Sequence, residues 1–110
     1  MELIEVGGQY TKKEIYAMTR SAEIKKMSDN VDTEIHVGGY VIYTDTNGKG
    51  DEVTVLSVMD KDGEVFATNS ATARREFEYI ADLMDGDDFT IKIVSGESKN
   101  GRTYITVTLI

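Results

Sequence analysis

Apolar and polar positions alternate with a period of two over five stretches of the chain, and only one stretch between them keeps a helical period. The first stretch, TEIHVGGYVIY (residues 33–43), is a long strand with Gly38-Gly39 at its middle. Paired glycines inside a strand mark a bulge or bend. Ile35 and Val37 share a face, and after one inserted residue Tyr40 and Ile42 continue it. The loop DTNGKGD leads into VTVLSVM (residues 53–59), and the turn Asp60–Gly63 leads into residues 65–68, which predicts a hairpin. Residues 89–95 and 103–109 alternate cleanly, with Phe89, Ile91 and Ile93 in one and Ile105, Val107 and Leu109 in the other.

Between the third and fourth strands the period changes. Ala73, Phe77, Ile80, Ala81 and Met84 fall on one helical face. Ser70 is a suitable N-cap and Gly86 a suitable stop, so the helix is expected over Ser70–Asp85. Residues 1–30 read mostly as helix. Thr11 and Glu14 have capping-box spacing ahead of Ile15 and Met18, and a second short helix is expected from Ser21 through Ile24 and Met27.

Three strands, a helix and two strands, with a bent first strand, is the order of an OB-type barrel. The expected fold is therefore mostly β: a five-stranded OB-like barrel over residues 31–110, with a helix between strands 3 and 4. Residues 1–30 form a short N-terminal helical segment packed on it. An open α+β sheet with the helix on one face is the alternative.

Composition narrows the function classes. At 110 residues, with 40% apolar and 29% charged positions, the chain suits one folded domain. It has no proline and no cysteine, so disulfides and thiolate metal sites are excluded. No apolar run approaches the roughly 20 residues of a membrane helix, and the N-terminus lacks the features of a secretion signal. A cytoplasmic protein without membrane contact is expected.

Catalytic and metal motifs fail on spacing. His36 is the sole histidine and sits on a strand between Ile35 and Val37, with no nucleophile to serve. Asp45, Asn47 and Gly50 fit a calcium loop, but Lys49 takes the fifth position and Leu56 the twelfth, where a glutamate is required. Gly48-Lys49 lacks the rest of a phosphate-binding loop. Asp85, Asp87 and Asp88 cluster after the helix and read as a solvated turn, with weak attraction for a cation or a partner as the other possibility. The chain is expected to be non-enzymatic and without cofactor or metal.

Charge distribution is more informative than the net value of −8. An acidic body repels nucleic acid except where cations gather. Over residues 89–110 Lys92, Lys99 and Arg102 outnumber the single acid, Glu97. Arg102 and Tyr104 lie two apart, so on a strand they share the outward face. A guanidinium beside an aromatic ring suits a phosphate followed by a stacked base, the combination used for single strands. In an OB barrel the loop between strands 1 and 2 and the loop between strands 4 and 5 flank the binding face. That adds Lys49 from the first of these loops, with Lys92 on the outer face and Tyr43 and Phe66 as further stacking candidates.

The runs SAEIKKMSD, GGYVIYTDTNGKGDEVTVLSVMDKDGEVFATNS and KIVSGESKNGRTYITVTL resemble small single-stranded-DNA-binding proteins of phages that infect Gram-positive bacteria. The resemblance spans most of residues 20–110, and its most specific element is SKNGRTYI after a KIV strand. It implies an OB-like protein that coats single strands during replication or recombination. DNA contacts would fall on Lys99, Arg102 and Tyr104, with Lys49 across the groove. Replication or recombination proteins would be its partners, and the host cytoplasm its location. The better-known bacterial relatives end in an acidic tail, whereas this sequence ends TVTLI, which puts tail-mediated recruitment and their usual tetramer in doubt.

Two readings of function follow. One is sequence-tolerant, non-catalytic binding of single-stranded DNA. The other is an acidic protein–protein interaction module, with residues 45–64 and 76–88 meeting a basic partner. Oligomeric state, site size and base preference are not encoded in any recognisable pattern.

Overall fold

In the computed structural model, which describes residues 1–110, the five expected strands form and two more join them. The strands are β1 (Glu2–Gly7), β2 (Lys25–Lys26), β3 (Glu34–Thr46), β4 (Glu52–Asp60), β5 (Val65–Thr68), β6 (Thr90–Glu97) and β7 (Thr103–Leu109). The helices are α1 (Lys12–Thr19) and α2 (Ala71–Met84), with a single 3₁₀ turn at Met27–Asp29. The sheet runs β2-β5-β4-β3-β6-β7, with β1 added on β3. The count of five strands is thus corrected to seven, in a mostly β, curled half-barrel. No helix is long and apolar enough to cross a membrane.

β3 organises the curl. Its first residues, Glu34–His36, pair with β6, and its remainder pairs with β4. The register slips between Val37 and Gly39, so the bulge sits at the glycine pair as its sequence requires. The slip keeps Ile35, Val37 and Ile42 in one core, where Leu56, Val58, Phe66, Ile91, Ile93 and Val107 join them. α2 adds Phe77 and Ile80 to that core, and Ala73 on the same helix is buried too.

The helix signals behave as the sequence indicates. The Ser70 side chain accepts from the Ala73 N–H at 3.1 Å, and its hydroxyl donates to the Ile105 carbonyl at 2.7 Å. One hydroxyl therefore caps α2 and ties it to β7. Ser70→Ala removes both bonds and should cost about 2 kcal/mol, read from chemical denaturation. At the far end, Asp85 itself takes the left-handed conformation, φ 46°, and Gly86 follows at φ 92°.

The N-terminal segment departs most from expectation. Its capping box forms, with Thr11 and Glu14 each accepting from the other's backbone N–H. The helix it starts, α1, forms as well, but apart from α1 and the 3₁₀ turn the segment is not helical. Residues 2–7 are a strand, antiparallel to β3, with an irregularity between Leu3 and Glu5. That slip leaves Leu3 and Val6 three apart, which hides the period of two. The second expected helix is absent too: Lys25 and Lys26 pair in parallel with Phe66 and Ala67, and Met27 begins the 3₁₀ turn.

This segment covers the outer face of the sheet. Met18, Val41, Tyr43 and Val65 form a second small core, with Tyr10, Ile15, Ile24, Val55 and Met59 packed around it. β3, β4 and β5 are therefore apolar on both faces because both faces are covered.

Candidate nucleic-acid interface

The two edges that would close the barrel, β5 with its partner β2 on one side and β7 on the other, are not hydrogen-bonded to each other. A surface cleft of about 570 Å³ occupies this seam. Lys26 and Ser28 stand on one side, and Tyr104 and Ile105 on the other. Val55 and Ala67 give an apolar floor, and Thr68–Ser70, leading into α2, close the end. No carboxylate lines it. Of the other two clefts, one is lined by Glu23, Asp62 and Glu64 and the other by Asp82, Asp87 and Asp88.

Tyr104 is positioned by a glycine. It lies opposite Gly96 across the β6–β7 pair, and its ring lies where a Gly96 side chain would project. The ring is thus laid along the sheet rather than standing from it, and it stays 38% exposed. Gly96→Ala must push the ring aside. It should leave the fold intact and weaken any ligand that stacks on Tyr104, visible as a changed tyrosine environment in NMR spectra.

The hairpin that carries Tyr104 is closed tightly. The Ser98 N–H donates to the Arg102 carbonyl at 2.8 Å, the Gly101 N–H to the Ser98 carbonyl at 2.9 Å, and the Arg102 N–H to the Ser98 hydroxyl at 3.2 Å. Gly101 sits at φ 75°, a conformation that glycine adopts without strain. Lys99 and Arg102 are exposed on this turn, and neither forms an ion pair. Arg102 precedes Tyr104 by two residues, about 7 Å along extended backbone.

The other expected contact residues are dispersed. Lys49 is exposed at the tip of the β3–β4 loop, its N–H held by the Asn47 side chain, and it does not line the cleft. The cation that shares the cleft with Tyr104 is Lys26, which a helical reading of residues 21–30 conceals. Lys92 is on the same outer face as Gly96, but about 13 Å further along β6. It sits opposite Thr108 on one side and Glu34 on the other, so a carboxylate adjoins it.

Two expected stacking residues must be withdrawn. Tyr43 is only 4% exposed, and its hydroxyl donates to the Thr19 carbonyl at 3.2 Å. Burial, with Asp45 nearby, pushes its phenol pKa up. Phe66 is 2% exposed within the barrel core, and the Lys25 ammonium lies 5.6 Å from its ring centre. Neither ring has a face to offer a base. The signal for this was in the sequence: β3 and β4 carry apolar residues in both phases, the mark of a strand covered on both sides.

The acidic cluster resolves into separate roles. Asp88 pairs with Lys61 at 3.0 Å, while Asp82, Asp87 and Asp88 line a different cleft beside Gly38 and Gly39. Hydrogen bonding and charge from Lys61 hold the Asp88 carboxyl below its ordinary value. A carboxyl lowered on folding stabilises the fold above its unfolded pKa, and loses that contribution as pH falls through the folded value. Lys61→Ala should therefore raise the Asp88 midpoint in an NMR titration, and added salt should shrink the difference.

Compared with protein-family models, with curated proteins and with solved structures, the chain matches none of them significantly.

Proposed function

We propose that this protein binds single-stranded DNA without catalysing a reaction on it. The strand runs along the β6–β7 hairpin and across the seam cleft. The single observation that carries this reading is the chemistry of that cleft. In a chain with 20 acidic and 12 basic residues, it is lined by no acid, by one unpaired lysine and by an exposed tyrosine ring. Lys99 and Arg102 extend the cationic path beyond it. Stacking on a ring with cations beside it suits any base sequence, because every base has a π-face.

The finer assignment of the fold, an OB-type barrel, belongs to this proposal. The order β3 to β7, with α2 between the third and fourth of these strands, supports it. So does the bent β3, shared between two halves of the sheet. The N-terminal segment covers much of the outer β4–β5 face that OB barrels offer to oligonucleotides, so binding moves to the seam beside it. The resemblance to phage single-strand binders extends the reading to a replication or recombination accessory in the host cytoplasm.

The test is a fluorescence-anisotropy titration of labelled oligo-dT across a salt series. With Lys26, Lys99 and Arg102 each engaging a phosphate, log affinity should fall against log salt with a slope of about −2. Absence of binding at about 100 μM protein, in salt low enough for a Debye length of ~30 Å, contradicts the proposal.

A second reading, a protein-interaction module, is favoured by Tyr79 and Leu83. They are 66% and 61% exposed, one turn apart on α2, with Asp82 between them. Substituting these two leaves DNA binding intact if the first reading holds.

A further inference from the structure

We infer that the seam cleft takes one nucleobase turned out from the bound strand, and that Asn69 reads its edge, giving a preference for adenine at one position. This rests on the single-strand reading above and adds a specificity residue to it.

The argument begins with which polar groups in the cleft are already committed. The Thr68 hydroxyl accepts from the Ser70 N–H at 3.1 Å. The Ser70 hydroxyl is engaged twice, with Ala73 and Ile105. Asn69, between them, is exposed, and its side-chain amide forms no hydrogen bond within the protein. It therefore presents a donor and an acceptor side by side at the end of the cleft.

The surroundings select what that pair meets. Val55 and Ala67 beneath are apolar, Tyr104 supplies a ring, and the volume of about 570 Å³ lies in the range of small-molecule pockets. A phosphate would find one cation, Lys26, over an apolar floor, a poor site for an anion stripped of water. A flat heterocycle finds a ring, a floor and an edge reader, while Lys26 remains for the phosphate that flanks it. A carboxamide meets adenine at N6 and N7 with two hydrogen bonds, and it is the side chain that pairs with that base by geometry.

The test compares three short labelled strands: oligo-dT, the same strand with one central deoxyadenosine, and the same strand with one central abasic site. The wild-type protein should bind the adenine-bearing strand about fivefold or more tighter than plain oligo-dT. Asn69→Ala should lose the adenine preference, binding the adenine-bearing strand no more tightly than it binds oligo-dT. Because Ser70, not Asn69, caps α2, this variant should keep its melting temperature. Tyr104→Ala should weaken the adenine-bearing and plain strands together. Equal wild-type affinity for those two strands overturns the inference while leaving the single-strand reading standing, as does a preference that survives in Asn69→Ala. Failure to bind any of the three overturns both.

Discussion

Phe77→Ala should destabilise the fold by about 3–5 kcal/mol, a large part of the roughly 5–15 kcal/mol available to a domain of this size. The side chain is fully buried and belongs to the main core. Tyr40 meets it edge-on, with ring centres 4.9 Å apart at 72°, and Phe89 lies 6.0 Å away. A ring on β3 and one just before β6 therefore both pack on Phe77, and truncation opens a cavity that no single element can fill by shifting. The Tyr40 hydroxyl donates to Glu5 on β1 at 3.0 Å, so the disturbance reaches the N-terminal strand as well. Calorimetry should show a fall in Tm of at least about 12 °C. Phe77→Leu, which keeps most of the volume, should lose less than half as much. A Tm within about 3 °C of wild type for Phe77→Ala would show that α2 does not anchor the core in the way described.

The second large effect is on DNA binding. Tyr104→Ala removes the one ring that faces the cleft and should weaken oligo-dT binding by about 1–3 kcal/mol, roughly 5- to 150-fold. Lys99→Ala with Arg102→Ala removes the two charges proposed to meet phosphates without touching the core, since both residues are exposed and unpaired. The double variant should bind more weakly at low salt and show a salt dependence shallower by about 1.4 in slope. The two effects differ in kind: loss of the ring leaves the slope unchanged, and loss of the charges reduces it. Lys49→Ala and Lys92→Ala should have smaller effects, because Lys49 is on the β3–β4 loop rather than the last hairpin and Lys92 has Glu34 beside it. Equal losses from all four cation sites would point to diffuse attraction rather than a defined path.

The parts of the fold legible in the sequence are those where one periodicity dominates. α2 shows a single apolar face with a serine before it, so its start and its buried residues were readable together. β6 and β7 alternate without interruption and carry one covered face each. The bulge in β3 was readable because a glycine pair coincides with a change of phase. β1 was not, because its own irregularity after Leu3 destroys the alternation over only six residues. The pairing of Lys25 and Lys26 with β5 is set by tertiary contact and leaves no local signature. The apolar spacing of Ile24 and Met27 fits a helix equally well.

The candidate site divides in the same way. Lys99, Arg102 and Tyr104 were visible because charge, aromatic and glycine turn are contiguous in the chain. Lys26 and Asn69 were not, because they reach the cleft from β2 and from the β5–α2 junction, far apart in sequence. A strand taken as half-covered puts Tyr43 and Phe66 on an open face, whereas both are buried. The N-terminal segment covers the second face, and only the apolar residues in both phases of β3 and β4 announce that.

The central claim, that single-stranded DNA is held along the last hairpin and the seam cleft, is tested most directly by an NMR titration of the labelled protein with short oligo-dT. Backbone and side-chain signals of Lys26, Ser28, Asn69, Gly96, Lys99, Arg102 and Tyr104 should shift together and saturate together. Those of Asp82–Asp88 and Glu23 should stay in place. A response centred on the acidic clefts, or no response at all, would contradict it.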